Sequence, residues 1–179
     1  MKDQELARAL DARIRNVPDF PKPGILFKDI TPVLLDAPLY GRVVEALSEA
    51  VAAARADVVM GIESRGYLFA APVAARLGLP QALVRKPGKL PWRTRSATYQ
   101  LEYGTDRIEV HEDAVQPGQR VAVLDDLLAT GGTMEAACRL VRELGGTPAL
   151  AAFVVELSFL PGRQRLATAV DQVESLVVF

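Results

Sequence analysis

Two adjacent aspartates, Asp125 and Asp126, end the short apolar run Val121-Ala122-Val123-Leu124, and the loop Ala129-Thr130-Gly131-Gly132-Thr133 follows closely. Carboxylates at the end of a buried strand are costly unless they meet donors, a metal ion or water. The vicinal hydroxyls of a ribose are well-suited donors. The loop behind them offers backbone N–H groups and two threonine hydroxyls that can converge on a phosphate. A helix starting at its far end adds a favourable field. Acids for a sugar and a cradle for its phosphate together describe a ribose 5-phosphate site. The plain alternative is a strand-to-helix turn with a capping threonine and solvated acids. Two competing nucleotide signatures, GxxxxGK(S/T) and GxGxxG, do not occur in the chain.

A second cluster, Glu63-Ser64-Arg65-Gly66, follows the apolar stretch at residues 58–62. Its amides and the Arg65 guanidinium suit a pyrophosphate, because arginine matches phosphate geometry. A helix cap beside a solvated arginine is the competing account. A third, basic segment carries Arg85, Lys86, Lys89, Arg93 and Arg95 around prolines and a glycine. Alone it reads as a solvated loop. Next to two anion sites it reads as a lid that adds positive charge and excludes water on closing.

The elements that must position these residues follow from periodicity. Leu6, Ala9, Leu10, Arg13 and Ile14 share one helical face, and this helix stops near Val17-Pro18. The next segment, with three prolines (Pro21, Pro23 and Pro32) around Ile25-Leu26-Phe27, is expected to be a surface connector with a hydrophobic plug. Residues 39–56 are alanine-rich and helical by propensity. Residues 58–63 form a buried strand, 64–79 a helix with Pro72 inside and Gly78 at its stop, and 81–86 another strand. After a flexible stretch at 87–97, TYQLEY and RIEVHE flank Gly104-Thr105-Asp106 as a hairpin. Residues 120–126 read as a strand, 133–144 as a helix ending at Gly145-Gly146, and 147–157 and 173–179 as apolar strands.

Strands alternating with helices predict an α/β fold with a mainly parallel central sheet flanked by helices. In such sheets ligands bind beyond the carboxyl ends of the strands, where the acids lie. The 179 residues, half of them hydrophobic, suit one domain over 1–179. A formal net charge of −1 gives no global attraction to nucleic acid or membrane, and no window is long and apolar enough for a membrane helix. A single cysteine, Cys138, excludes an intrachain disulfide and points to a reducing, cytoplasmic setting.

VAVLDDLLATGGT resembles the signature for phosphoribosyl pyrophosphate (PRPP) in the type I phosphoribosyltransferases. PDFPKPGILFKDITPVL, GIESRGYLFAAPVAARLGLP, VRKPGKLP and YQLEYGTDRIEVHEDAVQPGQRV are similar to the adenine-specific branch of that family, and the similarity runs from about Arg13 to Arg165. The resemblance implies the type I phosphoribosyltransferase fold. It adds a small N-terminal hood that binds the base at about 13–35, and a lid loop with hairpin at about 87–112. It implies transfer of ribose 5-phosphate from PRPP to adenine, giving AMP and pyrophosphate. Two rivals are a phosphoribosyltransferase for another purine base and a non-catalytic PRPP- or purine-sensing regulator.

The roles implied follow residue by residue. Asp125 and Asp126 hold the ribose, and Ala129, Thr130, Gly131, Gly132 and Thr133 hold the 5-phosphate. Glu63, Ser64 and Arg65, with Lys86 and Lys89, hold the pyrophosphate, at a loop that often carries a cis peptide. Arg65 and Glu102 are the catalytic candidates, Glu102 as the acid/base near the purine. Leu26, Phe27 and Leu157 enclose adenine, with backbone groups near Leu26 reading its amino edge. Mg²⁺ arrives with PRPP and takes no direct protein ligand, Asp125 meeting it through water. The resemblance further implies a homodimer with small-molecule substrates only. Lys28 stands where arginine is frequent, keeping the charge and losing the fork. Trp92, Arg93 and Arg95 receive no role, and His111 and Cys138 are expected to pack.

Overall fold

A computed structural model of the chain describes residues 4–100 and 105–179. The elements run α1 (Gln4–Arg13), β1 (Arg15–Pro18), β2 (Leu26–Asp29), α2 (Thr31–Leu34), α3 (Ala37–Ala53), β3 (Val58–Ile62), α4 (Gly66–Leu77), β4 (Gln81–Val84), β5 (Thr94–Gln100), β6 (Thr105–His111), β7 (Arg120–Leu128), α5 (Gly132–Glu143), β8 (Thr147–Glu156), α6 (Gly162–Leu166) and β9 (Val173–Val178). Five strands form one parallel sheet in the order β4-β3-β7-β8-β9. The α/β class and the parallel sheet expected from the sequence are therefore present.

Alternation along the strands divides the core in two. Val59, Ala122 and Leu124 face one side, where α1, α3 and α4 bring Leu10, Val43, Leu47 and Phe69. Met60, Val121 and Val123 face the other, where α5 brings Met134 and Leu140. The chain leaves β3 toward β4 and returns to β7 on β3's opposite flank. The strand order therefore reverses between β3 and β7. A parallel sheet opens a crevice beyond its carboxyl edge at such a point, and both acidic motifs lie there.

Three segments differ from expectation. The proline-bearing connector forms a ribbon, β1 pairing antiparallel with β2 from Arg15↔Asp29 to Pro18↔Leu26. A two-stranded ribbon tolerates proline because each strand has an unpaired edge. Ile25 and Leu26 are 38% and 50% exposed, so they are not core packing.

The hairpin begins earlier than its sequence suggests, at Thr94. Ala97, Ile108 and Val110 are at most 2% exposed and join the second core. Arg85 bridges Glu109 by backbone hydrogen bonds, and Arg139 Nη2 donates to the Thr98 carbonyl at 2.7 Å. These described strands form a wall anchored to the body. Short helices α2 and α6 had no periodic signal, because neither completes two turns.

Candidate active site

The crevice between β3 and β7 is a cleft of about 220 Å³ whose lining includes Glu63, Ser64, Arg65, Lys86, Asp125 and Asp126. A smaller recess of about 80 Å³ lies against Ala129 to Thr133 and shares Asp125 and Thr133 with the cleft. Two motifs separated by some sixty residues in sequence thus form one continuous site.

Close approach of α4 to β7 makes this possible. A Cβ on Gly66 would lie 2.7 Å from the Leu124 carbonyl oxygen and 3.2 Å from Asp125 Cα. Only glycine fits there without displacing backbone. The Glu63-Ser64 peptide is cis, and Arg65 caps α4. From that position Arg65 Nε donates to Asp126 Oδ2 at 2.5 Å, while the Asp126 amide donates to Asp125 Oδ1 at 2.8 Å. Asp126 is 6% exposed, so a cation partner offsets the cost of keeping it charged. Asp125 has no such partner. Burial, and then the neighbouring Asp126 carboxylate, push its pKa well above the ordinary carboxylate range.

Glu63 organises the basic segment. Its Oε2 accepts from the Lys86 amide at 2.8 Å, its Oε1 accepts from Lys89 Nζ at 2.8 Å, and Arg85 Nε lies 3.4 Å away. The Lys89 hydrogen bond, foremost, holds the Glu63 pKa below its usual value. Lys86 Nζ is ion-paired with Asp106, to which Tyr99 OH also donates at 3.1 Å. Burial works against the Lys86 ammonium, but Asp106 and Tyr99 outweigh it and raise the Lys86 pKa.

Neither Asp106 nor Tyr99 was singled out from the sequence. They face each other across the hairpin, Tyr99↔Asp106, a pairing that becomes legible only once the register is known.

The ribbon closes one side. Phe27 packs edge-on to Phe20 with centroids 5.1 Å apart, and the Arg65 guanidinium carbon lies 5.8 Å from the Phe27 ring centre. Leu157 follows β8, its amide donating to the Leu128 carbonyl, so it lies at the same carboxyl edge as the phosphate loop. Lys28 Nζ stands over the Phe179 ring at 3.6 Å, a role its sequence did not reveal.

Glu102 falls outside the described residues. Arg95 pairs with Glu112 at 3.2 Å, and Trp92 contacts His111 edge-on. Cys138 is fully buried, and burial pushes its thiol pKa up to about 12. It lies among packing residues, as expected. Among the described residues, no group of three or more His, Cys, Asp or Glu side chains could hold a metal ion.

A family model for the phosphoribosyl transferase domain matches residues 34–160. The adenine phosphoribosyltransferase of Rhodospirillum centenum is 58% identical over 155 residues, which cover 87% of this chain and 91% of its own length. The solved adenine phosphoribosyltransferase of Thermoanaerobacter pseudethanolicus is similar at a TM-score of 0.92 and 50% identity, over 97% of this chain and 99% of that one. The enzyme from Saccharomyces cerevisiae, solved with an imino-altritol bisphosphate and adenine, gives 0.89 at 38% identity, over 97% and 99%.

Proposed function

The chain belongs to the adenine phosphoribosyltransferase family, and from that premise we propose that it transfers the 5-phosphoribosyl group of PRPP to adenine. The products are AMP and pyrophosphate, and the role is purine salvage. The observation that carries this reading is the cleft that brings Arg65 and Lys86 to Asp125 and Asp126, with the adjoining recess at the loop Ala129 to Thr133 sharing Asp125 and Thr133.

The reaction breaks the bond between the ribose anomeric carbon and a pyrophosphate oxygen, and forms a bond from that carbon to a purine nitrogen. Charge builds on the departing pyrophosphate and on the sugar ring, as in glycoside chemistry. Arg65 stabilises the first, aided by Lys86 and Lys89, and cations aimed where charge develops lower the barrier. Asp125 and Asp126 accept the ribose hydroxyls. The amides and hydroxyls of Ala129, Thr130, Gly131, Gly132 and Thr133 hold the 5-phosphate and fix the sugar's position.

Leu26 and Phe27 cover adenine on one side and Leu157 on the other. Backbone carbonyls near Leu26 accept from its amino group and disfavour a 6-oxo purine. Glu102 is proposed to take the proton that the purine nitrogen loses. No covalent intermediate is invoked.

The donor set fits Mg²⁺ as a passenger of PRPP. A hard cation that keeps much of its water suits a carboxylate beside a polyphosphate that is not already taken up in a direct ion pair. Asp125, which among the described residues accepts only from the Asp126 amide, is that carboxylate. When bound, Mg²⁺ supplies charge neutralisation on the pyrophosphate. A homodimeric state and a cytoplasmic location are proposed from the family resemblance. Sedimentation tests the first.

The direct test is AMP formation from PRPP with Mg²⁺ and adenine, with hypoxanthine and guanine in parallel. Turnover with adenine alone is expected. Preference for a 6-oxo purine would overturn the base assignment, and PRPP binding without turnover on any base would overturn the enzyme.

A further inference from the structure

We infer that the short helix α6 is a brace that fixes the 5-phosphate loop, with Gly162 as its contact point and Arg165 as a tie. Both are positioning residues for PRPP, and the inference rests on the function proposed above. The five-residue helix lies between β8 and β9, where the sequence suggested only a polar stretch.

Arg163 ties α6 to the sheet. Arg163 Nε and Nη2 donate to the two oxygens of Glu156 at 2.7 and 2.6 Å, and Arg163 Nη1 donates to the Val173 carbonyl at 3.0 Å. Glu156, the last residue of β8, is 4% exposed. A two-point arginine pair on a buried carboxylate sets an orientation as well as a contact.

Gly162, the residue before Arg163, presses on the loop. A Cβ on Gly162 would stand 2.2 Å from the Ala129 carbonyl oxygen and 2.8 Å from Leu128 Cδ1. A Cβ on Gly131 would in turn stand 3.0 Å from the Gly162 carbonyl oxygen, and Gly131 holds φ at +77°. Backbone meets backbone with no side chain between. Arg165 completes the contact, its Nη1 donating to the Thr130 carbonyl at 3.3 Å and its Nε lying 3.3 Å from Glu135 on α5. Carbonyls of the loop are thereby turned toward α6, which leaves the loop's amides free to face an anion. An added methyl at Gly162 cannot be accommodated by a flexible side chain. It must move the loop, and a displacement near an ångström costs on the order of 10²-fold where positioning matters.

The test uses two ligands that report on separate halves of the cleft. Ribose 5-phosphate reads the phosphate loop, and pyrophosphate with Mg²⁺ reads Arg65 and Lys86. Their dissociation constants are measured by calorimetry for the wild type, Gly162→Ala and Arg165→Met. Gly162→Ala is expected to weaken ribose 5-phosphate about tenfold or more. Arg165→Met is expected to weaken it about threefold. Pyrophosphate affinity should stay unchanged in both, with KM for PRPP rising and KM for adenine constant.

Equal loss of both ligands would mark a general stability effect and overturn the brace. Arg165 is partly exposed, so its variant decides the matter even where Gly162→Ala fails to fold. Wild-type binding of ribose 5-phosphate that neither variant alters overturns the brace alone. A wild type that binds neither ligand overturns the functional reading and the brace with it.

Discussion

The loop after β7 and the ribbon β1–β2 flank the same cleft and are built in opposite ways. Gly131 and Gly132 are buried, α6 presses on Gly131 from behind, and Asp126 is already paired with Arg65. On the ribbon, Phe20, Ile25 and Leu26 remain 50%, 38% and 50% exposed. An anion site needs donors in place before the ligand arrives, since reorganising them would consume binding energy. A planar base gains instead from apolar area removed from water, about 25 cal/mol per Å². The phosphate half is therefore rigid, and the base half is left uncovered for its ligand to bury.

If that contrast is right, damage to the charged half should cost the most. Arg65→Gln removes the partner of a nearly buried carboxylate and the cation proposed to meet the leaving group in a single change. We expect kcat/KM to fall about 10²–10³-fold, the range seen when one transition-state donor is lost. KM for adenine should move little. Steady-state AMP formation measures both. A fall below about tenfold would remove Arg65 from the transition state.

Phe27→Ala sharpens the comparison from the other side. Stacking of a base on an aromatic ring contributes about 1–3 kcal/mol, so KM for adenine should rise about tenfold. KM for PRPP should not change, because the phosphate half is braced independently of the ribbon. Should both constants rise together, the contact between Phe27 and Arg65 would have to couple the two halves, and the contrast would fail.

How much of this was legible in the residues differs by half as well. Val121 to Thr133 carries its chemistry in consecutive residues, so the strand, the acids and the glycine loop could be read directly. The alternation of apolar strands with helices along the chain also revealed the parallel sheet. The partners that set those groups in place come from distant segments. Asp106 holds Lys86 across twenty residues, and Glu63 holds Lys89 across twenty-six. Gly162 touches Ala129 through backbone alone, which no side-chain pattern records. The ribbon was missed for a related reason: proline argued against strands, and a two-stranded ribbon is where that argument fails.

The smallest effect is also the most specific to the charged half. The Glu63, Asp106 and Asp29 pKa values are lowered by Lys89, by Lys86 and by the Thr31 amide, respectively. Each therefore contributes stability that is present above the usual carboxylate range and lost as pH falls through the lowered folded value. Asp125 has the opposite sign. Its folded pKa lies above the unfolded one, so its contribution is full below the usual range and fades as pH rises through the folded value. Asp126 and Arg65 face it: the Asp126 carboxylate opposes its charged form, while the Asp126 amide and then Arg65 favour it. Ribose hydroxyls donate to a carboxylate and would favour that form too. Binding of PRPP should then release up to one proton, and affinity should rise with pH across the interval between the bound and free values. Calorimetry in two buffers of different ionisation enthalpy reads the proton directly. Asp125→Asn should abolish it while leaving the acid-side loss of stability from Glu63, Asp106 and Asp29 in place. Equal heats in both buffers for the wild type would mean that Asp125 is already ionised in the free protein, and that the charged half is more fully prepared than its buried carboxylates suggest.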